Sequence, residues 1–142
     1  MIVVATDAEK KVAEDRWPCE PVVVTGVGGL NVYKTLSLYD RQTPIINFGY
    51  VGSNNIPIGT EVSVGRCGLL HPNVSYDEDE FALGGNIACL TSCDFVLETQ
   101  ITDPVVFDME LAFILAMGFE NVQSIKIVSD NLSIEQYEET TK

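Results

Sequence analysis

The sequence predicts an α/β fold: one three-layer αβα domain over residues 1–142, with a mixed, mainly parallel central sheet. Three observations predict it. Most apolar runs are short and continuous rather than alternating, which suits strands buried on both faces. Between the second and third runs a glycine turn leads into a segment of helical period, so strand, turn, helix and strand follow in the order of a βαβ unit. With 142 residues, 46% of them hydrophobic, the chain can bury one sizeable core and has little material for a second.

Taken in order, Ile2 to Ala5 is a short β-branched run, Pro21 to Thr25 (PVVVT) a second, and Pro44 to Tyr50 (PIINFGY) a third, interrupted by a glycine. In the intervening GLNVYKTLSLYD, the residues Leu30, Tyr33, Leu36 and Ser37 share a helical face. Ile58 to Arg66 alternates like a strand with one wetter face, and Asn86 to Ser92 and Val122 to Asp130 read as further strands. Met109 to Phe119 (MELAFILAMGF) is apolar almost all round, a helix packed between other elements, with Gly118 as its stop. Ser133 with Gln136 three residues on has the capping-box spacing that opens a short acidic helix. The polar run Asp77 to Glu80 reads as a solvated loop.

Eight Lys and Arg against 21 Asp and Glu give a net charge of −13, which repels nucleic-acid phosphates and anionic membrane surfaces. No apolar stretch approaches the roughly 20 residues that span a bilayer, and MIVVATDAEKK lacks the order of a signal peptide. A soluble, cytoplasmic protein is therefore expected, with neither nucleic acid nor membrane as partner. The cysteines at 19, 67, 89 and 93 match no zinc spacing and have only His71 to join them, so no metal is expected, and Cys89 reads as a small buried hydrophobe.

In open α/β sheets ligands bind beyond the carboxyl ends of the strands. The polar residues at those places are Glu9 after the first run, the N-F-G-Y-V-G-S segment, Asp94 after the fifth, and Asp130 at the end of the last. The turn Thr25 to Gly29 (TGVGG) sits where a phosphate-cradling loop would, but position 31 carries Asn where the dinucleotide pattern wants a third glycine. A tight strand-to-helix turn is the other reading.

Read as an ordered set, V-V-A-T-D-A-E, T-G-V-G-G, I-I-N-F-G-Y-V-G, I-G-T-E-V, S-C-D, F-D-M-E-L-A and I-V-S-D resemble the successive signature segments of the superfamily of purine nucleoside phosphorylases, methylthioadenosine/S-adenosylhomocysteine nucleosidases and futalosine hydrolases. The resemblance runs from Ile2 to Asp130 and is most specific at Asp108–Met109–Glu110 and Ser129–Asp130. It implies cleavage of the N-glycosidic bond of a purine-type nucleoside without a cofactor, by hydrolysis or, with phosphate as co-substrate, by phosphorolysis. Glu9 then resembles the glutamate that activates water, and Asp130 the acid that protonates N7 of the leaving base, with Ser129 holding its carboxyl. Glu110 resembles the residue gripping the ribose hydroxyls, Met109 the thioether beneath the sugar, and Asp108 their acidic neighbour. Phe95 and Val96 would face the base, and Val51 and Gly52 would line the floor.

The chemistry asks for such a set. The sugar gains positive charge as the base leaves with excess electrons, so the site needs an acid near the base and carboxylates near the ribose. An acid protonated near neutral pH needs a raised pKa, which burial or proximity to Glu110 or Asp108 would give Asp130, against the pull of a helix starting near Ser133. Each residue also has a plainer reading: Asp130 as a turn former, Glu9 as a solvated first helical turn, Met109 and Glu110 as a core side chain and an exposed helix start.

The chain departs from the pattern where His71 to Asn86 is compressed and where Phe48, Tyr50 and Cys93 replace smaller residues. The shortening puts part of a base-covering lid in doubt and leaves room for a catalytically silent nucleoside-binding module. The bulk of Tyr50 would fill the phosphate space and no arginine follows the third strand, so hydrolysis is favoured over phosphorolysis; Arg41 and Arg66 are the only arginines near predicted element ends, and with Lys10 and Lys11 beside Glu9 they keep a phosphate site open. The resemblance further implies a homo-oligomer, preferentially a dimer, with Ile56, Pro57, Leu69, Leu70 and His71 as the candidate contact surface.

Overall fold

The computed structural model describes residues 1–70 and 81–142. His71 and the acidic run at 77–80 lie outside the described residues. The elements in chain order are β1 (Ile2–Val4), α1 (Asp7–Arg16), β2 (Val22–Val24), α2 (Gly29–Leu36), β3 (Ile45–Ser53), β4 (Glu61–Leu69), β5 (Phe81–Ala82), β6 (Ile87–Thr91), β7 (Val105–Asp108), α3 (Leu111–Ala116), β8 (Val122–Asp130) and α4 (Ile134–Thr140). The sheet is mixed, with parallel pairings β1–β2, β1–β3, β3–β8, β4–β6 and β6–β7, and antiparallel pairings β3–β7, β4–β5 and β4–β8.

Two features of the pairing position the site. First, β3, β7, β6, β4 and β8 pair in a cycle and close on themselves, while β1 and β2 extend the sheet from β3. Second, β8 runs along one edge of β3 from Ile45 to Gly52, so β1 and β7 share the other edge. There β1 covers Ile46 and Asn47, and β7, arriving antiparallel, covers Gly52 and Ser53. The carboxyl ends of β1 and β7 therefore face each other across an unpaired stretch of β3 edge. This is a strand-order switch point, where chain leaving two strand ends can enclose a ligand.

Helices cover both faces. Val32 and Leu36 of α2 and Ile114 of α3 pack on Val3 and Ile45, while Ala13 of α1 packs on Ile2, Val4 and Phe48 from the other side. The face of α2 that is buried is Val32–Leu36, not the expected Leu30–Tyr33–Leu36: Leu30 is 69% and Tyr33 61% exposed. The cause is close helix approach, since a Cβ on Gly29 would lie 2.8 Å from the Phe113 ring of α3, and that contact turns Val32 and Leu36 inward. Val51, Val62, Val64, Cys67, Cys89, Val106 and Val128, from the five cyclically paired strands, share one cluster with Leu111 and Ala112 of α3. Ile56 belongs to that cluster, which removes it from the expected contact surface.

Two elements and one capping contact differ from the sequence reading. Val105–Asp108 is a strand, and Met109 and Glu110 precede α3 rather than beginning it. The segment after β1 is a full helix opened by a capping box between Thr6 and Glu9. In α4 Ser133 caps as expected, its hydroxyl accepting from the Gln136 amide, but the Gln136 side chain turns to the Asn131 amide at 2.8 Å.

Candidate active site

A half-open cleft with about 550 Å³ of empty space, counted out to its mouth, occupies the switch point. It is lined by Glu9 after β1, Tyr50, Val51 and Gly52 of β3, Phe95 and Val96 after β6, Asp108, Met109 and Glu110 at the end of β7, and Ser129 and Asp130 of β8. The structure thus brings into one cavity every residue that the sequence marked for a site. Ala5, Thr6, Val27, Asp94, Phe107 and Tyr137 complete the lining.

Glu9 is 5% exposed and far from a solvated helical turn. Its Oε1 accepts the Ala5 and Thr6 amides at 2.9 and 3.1 Å, and its Oε2 the Tyr50 amide at 2.8 Å. The carboxylate thus occupies the place beside β3 that a longer β1 would fill, satisfying a main-chain donor with no strand opposite it. Gly49 makes room, because a Cβ there would sit 2.7 Å from Glu9 Oε2.

Asp130 is fully buried. The β3–β8 register shifts between Val51 and Gly52, with Ser129 the extra residue, and this irregularity re-aims the end of β8. Asp130 Oδ2 accepts the Leu132 and Ser133 amides at 3.0 and 3.3 Å, and Oδ1 the Ser129 hydroxyl at 2.8 Å. Leu132, with φ of 65°, is held in the left-handed region by the first of these bonds. Turn shaping and a place in the cleft are therefore both true of Asp130.

Glu110 caps α3 and accepts the Gly28 amide on Oε2 at 2.9 Å. The anion at the start of α2 is thus a side chain of this chain, and the glycine turn, with Gly26 and Gly28 at φ near +90°, is the tight turn that delivers the amide. Burial and the charge of Asp108 push Glu110 up to about 7, against the opposing effects of Lys126 and the Gly28 amide.

Asp108 is committed to the protein: Oδ1 accepts the Thr91 hydroxyl at 2.6 Å, and Oδ2 the Leu111 amide at 2.8 Å with the Lys126 ammonium 3.3 Å away. Lys126 is 1% exposed, and nothing in the strand pattern of 122–130 marks it as buried. Burial opposes its charge, but Asp108 and the more distant carboxylates hold its pKa above the usual lysine value. Tyr137, also missed, stacks edge-on against Phe95 at 5.7 Å. Burial and the Glu9 charge raise its phenol and that of Tyr50.

No Lys or Arg lines the cleft among the described residues. Arg41 ties the ends of α2 and α3 through the Met117, Leu36, Ser37 and Tyr39 carbonyls, and Lys10 pairs with Glu14 on the surface of α1. Cys67 and Cys89 are buried free thiols, and burial together with Cys67 raises Cys89 well above the usual range. Among the described residues no group of three His, Cys, Asp or Glu could hold a metal, and no helix is long and apolar enough to cross a membrane.

In sequence the chain matches no family profile and no curated protein. In structure it is similar to a nucleosidase of the methylthioadenosine/S-adenosylhomocysteine type from Chlamydia trachomatis, with a TM-score of 0.80 at 16% identity over 99% of this chain and 87% of that one. The Chlamydia enzyme has also been solved bound to methylthioadenosine and to adenine. The Helicobacter pylori 5′-methylthioadenosine/S-adenosylhomocysteine nucleosidase follows at TM-score 0.75 and 11% identity, over 99% and 89% of the two chains. The S-adenosylhomocysteine nucleosidase of Streptococcus pyogenes has a TM-score of 0.72 at 15% identity, over 97% and 87%. At these identities the likeness is one of fold, and the chain has the fold of these nucleosidases.

Proposed function

We propose that the protein is an N-ribosyl hydrolase that releases the base from a purine-type nucleoside. One observation carries the reading: Glu9, Glu110 and Asp130 come from three separate strand ends into one cleft that no described cation lines. Asp130 is the general acid. Two amides occupy its Oδ2, so the proton destined for the base resides on Oδ1. The Ser129 hydroxyl has one proton and two acceptors within reach, Asp130 Oδ1 at 2.8 Å and the Val51 carbonyl at 3.2 Å. It turns from the carbonyl to Oδ1 as the acid gives up its proton.

Glu9, anchored by three amides, keeps a lone pair on Oε2 to orient and deprotonate the attacking water. Glu110 offers Oε1 to the ribose hydroxyls and stabilises the positive charge that develops on the sugar. Phe95, Val96 and Met109 supply apolar contact to base and sugar, while Val51 and Gly52 form the floor. Asp108 acts from beneath as the partner of Lys126.

Hydrolysis is favoured over phosphorolysis because Tyr50 lines the cleft and no lining arginine or lysine is there to hold phosphate. The test is base release from methylthioadenosine, adenosylhomocysteine, inosine and futalosine, followed by chromatography with and without phosphate. Release without phosphate is the expected result. Strict dependence on phosphate would make the protein a phosphorylase, and nucleoside binding without release would make it a binding module.

A further inference from the structure

We propose that Lys126 is a positioning residue for the cleft: its buried ammonium, paired with Asp108 beneath the pocket, sets the charge and orientation of Glu110. The proposal uses the nucleosidase reading only in assigning Glu110 to the ribose, and its main test does not depend on that reading.

A lysine near the centre of a sheet is costly unless something requires it. Lys126 stands opposite Gly49 of β3 and Val62 of β4, in the middle of β8, on the same face of the strand as Val128 of the core cluster. Its ammonium pairs with Asp108 Oδ2 at 3.3 Å. That oxygen also accepts the Leu111 amide, and Oδ1 accepts from Thr91, whose hydroxyl oxygen takes the Ala112 amide at 2.9 Å. The chain of contacts therefore runs from the ammonium through Asp108 and Thr91 to the first two residues of α3, the helix that Glu110 caps. Turning or neutralising Asp108 moves the helix start and with it the Glu110 side chain.

Charge follows the same route. The groups that act on Glu110 are Asp108 from β7, Lys126 from β8, the Gly28 amide ahead of α2 and Glu9 from α1. Asp130 at the end of β8, Asp94 after β6 and Tyr137 of α4 share its cavity. Among these side chains Lys126 is the single cation. Without it, Glu110 would face carboxylates from three elements with no cation opposing them and would keep its proton to higher pH, losing more of the ionised oxygen that a ribose hydroxyl donates to.

The Asp108→Asn background isolates the lysine, because no second carboxyl then competes for the proton. The carboxyl carbon of Glu110, labelled with carbon-13 and assigned by its loss in Glu110→Gln, is titrated by NMR in the ligand-free protein. Asp108→Asn alone should lower the Glu110 midpoint. Adding Lys126→Met should raise it again by about one pH unit or more, the effect of removing a nearby opposite charge, whereas adding Lys126→Arg should not.

If Asp108→Asn fails to fold, Lys126→Met is compared with wild type, and the Asp108 and Glu110 carboxyls together must then bind more protons at pH 7. An unmoved Glu110 midpoint in the Asp108→Asn background, or no extra proton in the second comparison, overturns the proposal. Should the protein turn over nucleosides, the acid limb of kcat/KM shifts with the same midpoint; should it turn over none, the nucleosidase reading fails and the titration still decides the role of Lys126.

Discussion

Two pairs of carboxylates meet in the cleft, and they are built differently. Glu9 and Asp130 are clamped by main chain: five backbone amides, four of them from residues within four positions in sequence, fix the two groups. Asp108 and Glu110 are also hydrogen-bonded, but Asp108 pairs with the buried Lys126 ammonium, whose charge also reaches Glu110, and burial with the Asp108 charge leaves Glu110 near 7. The first pair is a matter of geometry, with each oxygen's direction set by a rigid element end. The second is a matter of balance, in which protonation of one member depends on the charge of the others. Substitutions at the first pair should therefore act through the one group removed or displaced, and those at the second through the charge shared among several groups.

The largest effect is expected at Asp130. Asp130→Asn removes the acid while keeping an oxygen for the Leu132 and Ser133 amides, so the fold and nucleoside binding should survive while base release falls by about 100- to 10,000-fold. Glu9→Gln should behave alike, leaving water unactivated. Single-turnover base release and ligand-induced thermal shift, measured together, separate chemistry from binding. Turnover untouched by Asp130→Asn would exclude that residue from the mechanism.

The balanced pair should respond to pH instead. Glu110 moves from an ordinary 4.5 to about 7 on folding, so the folded state holds its proton across an interval where the unfolded chain has released it. The stabilisation this gives is fully present below about 4.5 and is lost as pH rises through about 7. The difference is worth about 3 kcal/mol. Chemical denaturation of wild type at pH 5 and pH 8 should therefore show a decline in stability that Glu110→Gln lacks by about that amount. Equal pH dependence in the two proteins would contradict the raised value.

The contrast between the pairs also explains what was legible in the sequence. Strands carry their own signal: the continuous Ile and Val runs mark β1 and β2, and the β-rich stretches 44–50 and 122–130 mark β3 and β8, each to within three residues. Glu9 and Asp130 were legible because their place follows from chain order: each stands at or just past a strand end. The spacing of Thr6 and Glu9 carries the α1 capping box as plainly as Ser133 and Gln136 carry the start of α4, though Lys10 and Lys11 beside it give the segment the look of a solvated turn. Strand β7 was hidden because VVFD runs directly into an apolar helical segment, where periodicity has no boundary to register. Lys126 could not be read at all. A lysine in a strand pattern looks like a solvent-facing alternation, and only the closing of β8 between β3 and β4 buries it.

The smallest effect should come from adding one carbon to the clamped pair. A Cβ on Gly49 would lie 2.7 Å from Glu9 Oε2 and 3.2 Å from its carboxyl carbon. Such contacts are relieved cheaply when the neighbour is the free end of a flexible chain, but this carboxylate accepts three main-chain amides and cannot retreat without giving up at least the one from Tyr50. In Gly49→Ala the carboxylate should therefore shift by a fraction of an ångström, with the Tyr50 amide bond lengthened or lost. Water positioned by a displaced oxygen attacks from the wrong place, and a misplacement of this size should cost about tenfold in kcat with little change in KM. The pH dependence of stability should stay close to that of wild type, because Glu9 is the weakest of the groups acting on Glu110 and moves only slightly. Gly49→Ala with unchanged kcat would mean that the Glu9 clamp yields more easily than its three amides imply, and a shifted pH dependence would mean that the two pairs of carboxylates are not separable after all.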